Sequence, residues 1–295
     1  MKLRIATRGS AQATTQSKAV ATALEAAGHA VELVIVDTEG DRTQASNVPL
    51  HSIGGQGVFT KEIQAAVLDG RADLAVHSAK DLPTQPHPGL TIGAFTERRT
   101  PADALIGARL SDLAFGATIA TGSVRRRAQL GRARPDLTFT ELRGNIGTRL
   151  EKIPDGGAIV MAVAALEVLG IVHRVTSAHP WEVLDPVEFV PAVGQGCVAV
   201  EHRQDDRAAA EALASIDHPG TRAAVTVERA FLGELGSGCS LPVGAHVRSA
   251  RLHVFLAGEG DRAVSETLEL SGDLAADIDT ARTAARAAHA TVTGP

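Results

Sequence analysis

Short apolar runs alternate with stretches of helical spacing along the first two-thirds of the chain. Leu3–Thr7 reads as a strand, followed by the turn Arg8-Gly9-Ser10 and a helix to about Ala27, with Gly28 in the helix-stop position. Val31–Asp37, rich in β-branched residues, reads as the next strand. Helical spacing over Val58–Leu68 ends at Asp69-Gly70, and Asp73–His77 forms a compact strand that leads into the polar loop 78–83. The same grammar resumes with strands at Thr118–Ala120, Leu137–Glu141 and Ala158–Met161. These are followed by a basic helix after Ser123, the turn Arg143-Gly144-Asn145, and a helix stopping at Gly170. Repeated β–α units predict mostly parallel sheets covered by helices on both faces, and two sheets fit the length better than one.

From about Thr221 the pattern changes. A helix through Glu234 meets the loop Leu235-Gly236-Ser237-Gly238-Cys239. Strands are predicted at Val243–Val247, Arg251–Leu256 and Thr267–Leu270, then an Ala-rich helix from about Leu274. Successive strands closed by a helix predict a small α+β domain.

Composition narrows the class. The 295 residues are 44 % hydrophobic and 21 % charged, a globular balance with room for two or three domains. A net charge of −5 argues against a general nucleic-acid coat. Charges at Lys2 and Arg4 interrupt any signal-peptide core, and no apolar run is long enough to suggest a membrane span, so the expected location is cytoplasmic. The two cysteines, Cys197 and Cys239, lie too far apart in sequence to suggest a disulfide framework or a zinc site.

In open parallel sheets ligands bind beyond the carboxyl ends of the strands. The chain concentrates polar residues there: Arg8 and Ser10, Lys80 and Asp81, Ser123 to Arg126, and Arg143 to Arg149. Between positions 125 and 149 seven arginines face only Asp136 and Glu141, with no lysine among them. Guanidinium stays protonated and offers a planar fork to carboxylate or phosphate oxygens. A solvated helix face explains Arg132 and Arg134. Arg125, Arg126, Arg143 and Arg149 are expected to contact an anionic ligand. Asp81, beside Lys80 and before the stiff Leu82-Pro83 step, either holds a cationic nitrogen and moves a proton or caps a turn. Cys239, flanked by glycine, is free either to carry a covalent group or to pack as a small hydrophobe, whereas Cys197 sits in an apolar run and reads as core.

Seven stretches, in order, resemble the porphobilinogen deaminase (hydroxymethylbilane synthase) family. They are Arg-Ile-Ala-Thr-Arg-Gly-Ser at 4–10, Gly-Gly-Gln-Gly-Val-Phe-Thr-Lys-Glu at 54–62 and Asp-Leu-Ala-Val-His-Ser-Ala-Lys-Asp-Leu-Pro at 73–83. Thr-Gly-Ser-Val-Arg-Arg at 121–126 and Leu-Arg-Gly-Asn-Ile-Gly-Thr-Arg-Leu at 142–150 follow. Pro-Ala-Val-Gly-Gln-Gly at 191–196 and Gly-Cys-Ser-Leu-Pro-Val-Gly at 238–244 complete the set.

The resemblance implies an α/β protein with two similar doubly wound domains, like type II solute-binding proteins, around a cleft, and a small α+β third domain. The implied boundaries are 1–97 with 196–215, then 98–195, then 216–295. It implies a transferase that condenses four porphobilinogen molecules, with loss of ammonia, into hydroxymethylbilane. Growth would proceed on a dipyrromethane cofactor joined to Cys239 by a thioether. By the same resemblance Asp81 is catalytic, and Lys80, Ser123, Arg125 and Arg126 hold the cofactor's carboxylates. Arg8, Ser10, Arg143 and Arg149 meet the incoming ring or growing chain. A monomer is implied.

Three positions depart from the family pattern. Gln56 stands where many relatives have lysine, Gln12 where leucine is usual, and Gly122 where serine is frequent. Two other classes remain open on sequence alone. A binding protein for an anionic metabolite would share the cleft but have no use for Cys239. A nucleic-acid binder would use the arginines, yet aromatics are only 3 % of the chain, too few for stacking.

Overall fold

The computed structural model describes residues 1–38, 60–236 and 241–294. The first sheet contains β1 (Lys2–Arg8), β2 (Ala30–Val36), β3 (Leu74–Ser78), β4 (Leu90–Phe95) and, returning from far along the chain, β10 (Val198–Arg203). Their order is β2-β1-β3-β10-β4. Alternation along the strands feeds two cores. Leu3 and Ile5 of β1 join Leu74 and Val76 of β3 against Val20 and Leu24 of helix α1 (Ala11–Ala26). Ala6 and Ala75, pointing the other way, pack with Ile63, Ala66 and Val67 of α2 (Lys61–Leu68).

The second sheet repeats this plan. β5 (Asp103–Ile106), β6 (Thr118–Ala120), β7 (Thr138–Thr140), β8 (Ala158–Ala162) and β9 (Trp181–Val183) lie in the order β7-β6-β8-β5-β9. Its helices are α3 (Val124–Ala133), α4 (Ile146–Leu150), α5 (Val163–Val168) and α6 (Val172–Ala178). Leu105, Ile119 and Val160 face Leu130 of α3, while Ile106, Ala120, Ile159 and Met161 face Ile146, Leu166 and Val175.

The expectation of mostly parallel sheets holds for four of the five strands in each sheet, and one strand in each is reversed: β10 runs antiparallel to β3 and β4, and β5 antiparallel to β8 and β9. The chain passes between the sheets twice, after β4 and after β9. Each crossing enters its new sheet at the end where the parallel strands finish, so the strand it starts must run backwards. Registration shows this directly: Val198, the first residue of β10, pairs with Ser78 at the end of β3. Asp103, the first residue of β5, pairs with Ala162 at the end of β8. Both sheets are open α/β layers, and the crossings lie beside the strand ends that carry the polar residues.

After α7 (Arg207–Ala214), α8 (Pro219–Glu234) leads to an antiparallel sheet of β11 (Val243–Arg248), β12 (Arg251–Ala257) and β13 (Ala263–Glu269), closed by α9 (Leu274–Thr293). Phe231 and Val227 of α8 pack with Leu252, Val254 and Leu256 of β12 and an alanine face of α9. This is the expected small α+β unit. Among the described residues no helix is long and apolar enough to cross a membrane.

Candidate active site

The polar residues lie at the carboxyl ends of β1, β3, β6 and β7. Arg8 ends β1, and Ser10 caps α1, its side chain accepting from the Ala13 N–H at 3.3 Å. Past β3 the chain makes a single 3₁₀ turn, Ala79–Asp81. Ala79 anchors it by burial and by an N–H bond to the Cys197 carbonyl at 2.9 Å, leaving Lys80 and Asp81 only partly covered. Past β6, Ser123 caps α3 by accepting from the Arg126 N–H at 3.4 Å. Past β7, Asn145 caps α4 by accepting from Thr148 N–H at 3.0 Å. Gly144 precedes it at φ +122°, a conformation open to glycine. Its carbonyl accepts from Arg149 Nε at 2.8 Å, which fixes that guanidinium over the turn.

The arginine cluster divides. Arg127 forms an exposed pair with Glu141 at 2.8 Å. Arg132 is exposed and donates to the Asp261 carbonyl, in keeping with a solvated face. Arg134 departs from that expectation: it pairs with Asp136 at 2.7 Å and ties down the carbonyls of Leu110 and Leu113. Arg125 and Arg126 turn inward. Their Nη2 atoms each donate to one oxygen of Asp103 at 2.6 Å, and their Nη1 atoms to the Val190 and Val160 carbonyls. Arg126 Nε and Arg143 Nη1 are buried with no hydrogen-bond partner among the described residues.

Lys80, Asp81, Arg125, Arg126, Arg143 and Arg149 share one electrostatic neighbourhood. Burial and then Arg126 push the Lys80 ammonium down to about 8, against the opposing pull of Asp81 and Asp103. Burial, then Arg126, with Arg143 adding to them, bring Arg149 to about 10 while Asp81 opposes. Burial would raise Asp103, but Arg125 and Arg126 outweigh it and hold the carboxyl well below the usual range. Five cations thus face two carboxylates. Of these, Asp103 is fully committed, whereas Asp81 makes no hydrogen bond or ion pair among the described residues. Such a cleft stabilises added negative charge and offers one free carboxylate as a proton acceptor or a partner for a cation.

Two residues in this neighbourhood carry no role in the sequence reading. Asp103 is completely buried. Gln195, 1 % exposed, donates through Nε2 to Asp103 at 2.9 Å and to the Pro101 carbonyl at 2.7 Å, while its Oε1 accepts from Lys80 Nζ at 3.4 Å. The stretch 191–196 draws attention to Gln195, but nothing local in Pro-Ala-Asp-Ala marks Asp103. Cys197 is core as expected: it is 2 % exposed and burial pushes its thiol up to about 12. Cys239, Gln56 and most of the 54–62 stretch lie outside the described residues.

Comparison with known proteins agrees in order and extent. Residues 3–211 match the family model described as porphobilinogen deaminase, dipyromethane cofactor binding domain, and residues 222–284 match the porphobilinogen deaminase C-terminal domain. A porphobilinogen deaminase of Acidothermus cellulolyticus is 48 % identical over 82 % of this chain and 74 % of its own. That of Nitratidesulfovibrio vulgaris strain Miyazaki F is 43 % identical over 95 % of this chain and 84 % of its own. That of Mycobacterium marinum is 48 % identical over 82 % and 76 %. Among solved structures, the methionine-binding protein MetQ aligns with 75 % of this chain and 92 % of its own at 10 % identity and a TM-score of 0.45. With both family models matched in sequence order around a cleft suited to polycarboxylates, this chain belongs to the porphobilinogen deaminase family, transferases of tetrapyrrole biosynthesis that carry a dipyrromethane cofactor.

Proposed function

We propose that this cleft condenses four porphobilinogen molecules head to tail into hydroxymethylbilane, with Asp81 as the catalytic group and Cys239 as the point of covalent attachment. The observation that carries this reading is the Asp81 carboxylate, without a hydrogen bond or ion pair among the described residues, set among Lys80, Arg126 and Arg149. The donor set fits a polycarboxylate cofactor, since Arg126 Nε and Arg143 Nη1 are buried and still lack acceptors among the described residues. When bound, the dipyrromethane supplies a free pyrrole α-carbon as nucleophile.

The residues of the chain divide the remaining work. Asp81 holds a proton at the substrate's aminomethyl nitrogen as the C–N bond breaks and ammonia leaves. Its negative charge then faces the methylene-pyrrole cation. After the new C–C bond forms, Asp81 accepts the proton lost from the attacking α-carbon. A positioned acid–base group contributes roughly 10²–10⁴ in rate. Lys80, Ser123, Arg125 and Arg126 hold the cofactor's acetate and propionate groups, and Arg8, Ser10, Arg143 and Arg149 meet the incoming ring and the lengthening chain.

Of the two thiols, Cys197 is unsuited to attachment, because burial keeps it protonated and encloses it in the core. That favours Cys239. In this reading the domains are 1–97 with 196–215, 98–195 and 216–295, and the working form is a cytoplasmic monomer without nucleic-acid or membrane partners. Intact mass of the purified protein tests the attachment. The wild type is expected to exceed its sequence mass by a two-pyrrole adduct that Cys239→Ala lacks. An unmodified wild type that binds carboxylates reversibly without turnover would refute it.

A further inference from the structure

Asp103 is the first residue of β5, at the point where the chain has just crossed from the first sheet, and it is fully buried. Its two oxygens are divided. Oδ2 accepts from Arg125 at 2.6 Å, while Oδ1 accepts from Arg126 at 2.6 Å and from Gln195 Nε2 at 2.9 Å. Gln195 lies on the return crossing, and its other amide atom accepts from Lys80 Nζ at 3.4 Å. One carboxylate is therefore connected to cations that come from both sheets, through groups on both crossings.

We propose that Asp103 is a positioning residue for the family's reaction: it sets the spacing of Arg125 and Arg126 and, through Gln195, indexes the ammonium of Lys80 on the opposite side of the cleft to them. Two guanidiniums on adjacent residues of α3 repel each other, and in a buried site that repulsion would splay them or drive one to solvent. A shared carboxylate with one oxygen for each fixes their separation before any ligand arrives. Catalytic and binding groups need this prior order, since a displacement of about 1 Å can cost about 10²-fold in rate. The bridge through Gln195 matters for a second reason. Each sheet forms its own cores, so the relative placement of Lys80 and the arginines is not set by packing within either sheet. The chain Asp103–Gln195–Lys80 supplies that placement by hydrogen bonds. What the cations bind rests on the proposed function; the positioning itself rests on this geometry.

The test uses the full-length enzyme and reads the ionisation of Lys80 as well as turnover. Competitive acetic anhydride labelling across a pH series, followed by peptide mass spectrometry, gives a midpoint for Lys80, with Lys2 and Lys18 as internal standards. The charged groups facing Lys80 are Asp81 in its own turn, Arg125 and Arg126 on α3, and Asp103 on β5. Asp103→Asn removes one anion from that set. It is expected to lower the midpoint by about one pH unit and turnover by about 100-fold, with Asp103→Glu restoring the midpoint but only part of the rate. Gln195→Met leaves the arginine pairs intact and cuts the bridge, together with the bond to the Pro101 carbonyl, so it is expected to lower the midpoint by a smaller amount.

Wild-type midpoints and turnover in Asp103→Asn and Gln195→Met would overturn the proposal. So would slow turnover with an unmoved Lys80 midpoint, which is what a purely structural role produces. If Asp103→Asn fails to fold, Gln195→Met decides alone: a lowered midpoint supports the bridge, an unchanged one refutes it. A wild type without the two-pyrrole adduct would count against the proposed function and is seen separately in the mass of the unmutated protein.

Discussion

Arg98 and Glu228 meet fork to fork, Nη1 donating to Oε1 at 2.5 Å and Nη2 to Oε2 at 3.2 Å. Arg98 lies on the crossing from β4 to β5, and Glu228 is a fully buried residue of α8. The same carboxylate accepts from the Gly194 N–H on the return crossing and the Val247 N–H of β11, both at 2.9 Å. Arg98 Nε in turn donates to the Gln195 carbonyl at 2.8 Å. One ion pair thus fastens both crossings to the C-terminal unit and holds the backbone of Gln195, the residue that links Lys80 to Asp103.

Removing the acid should leave Arg98 uncompensated in a dry site. Glu228→Gln is expected to lose about 3–5 kcal/mol of stability, measured as a shift in denaturant midpoint at constant slope. Burial raises the Glu228 pKa, but Arg98, with help from His246, outweighs it and brings the group to about 2 from an ordinary 4.5. A depressed folded pKa gives stability that is complete above about 4.5 and fades as pH falls toward about 2. The wild type should therefore lose stability across that window more steeply than the variant does.

The parts of this architecture that were legible from sequence are those with a local signature. Leu3–Thr7, Asp73–His77 and Thr118–Ala120 each announce a strand followed at once by polar residues, and the structure puts Arg8, Lys80, Asp81 and Ser123 at those strand ends. The antiparallel strands β5 and β10 carry no such signal, because an apolar run reads the same in either direction and only the crossings decide which it takes. Asp103 was invisible for a related reason. Its partners lie 22, 23 and 92 residues away, so no period or spacing exposes them. Arginine density was plain, but not its division into inward Arg125 and Arg126 and outward Arg127 and Arg132, which depends on how α3 faces β5.

Gly196 shows how close the two crossings come. It adopts φ +87°, its carbonyl accepts from the Arg99 N–H at 2.9 Å, and an added Cβ would sit 2.6 Å from the Arg99 carbonyl oxygen. Both the conformation and the space exclude a side chain. Gly196→Ala should cost at least about 2 kcal/mol in thermal or denaturant unfolding, and should also displace Gln195 and slow turnover. Gly170→Ala, also at positive φ (+64°) but with open space around it, should cost less and leave the rate unchanged.

Lys80 ought to give the enzyme an alkaline limit. With its pKa brought to about 8, the ammonium is lost just above neutrality unless a bound carboxylate restores it. KM for porphobilinogen, and the retention of added carboxylates, should worsen as pH rises through that value. Lys80→Gln should be weak at all pH values and lack the change. Stability moves the other way. Between about 8 and 10.5 the unfolded chain holds the proton that the folded chain has released, so the fold gains stability as pH rises. A wild type whose KM is flat from pH 7 to 9.5 would exclude a binding role for this ammonium.

Asp81 provides the sharpest separation of binding from chemistry. Its side chain is partly exposed and makes no hydrogen bond or ion pair among the described residues, so Asp81→Asn disturbs no contact that holds the fold. The melting temperature should stay within a degree or so of wild type. Losing one negative charge beside Lys80 and Arg149 makes the cleft more attractive to anions, so carboxylate affinity should hold or improve. An amide cannot take up or return a proton at neutral pH, nor compensate the methylene-pyrrole cation, so turnover should fall by at least about 10²-fold. Single-turnover kinetics with saturating porphobilinogen distinguish the two effects. A loss confined to KM would assign Asp81 to binding, whereas a loss in kcat with KM unchanged or lowered identifies it as the group that moves the proton.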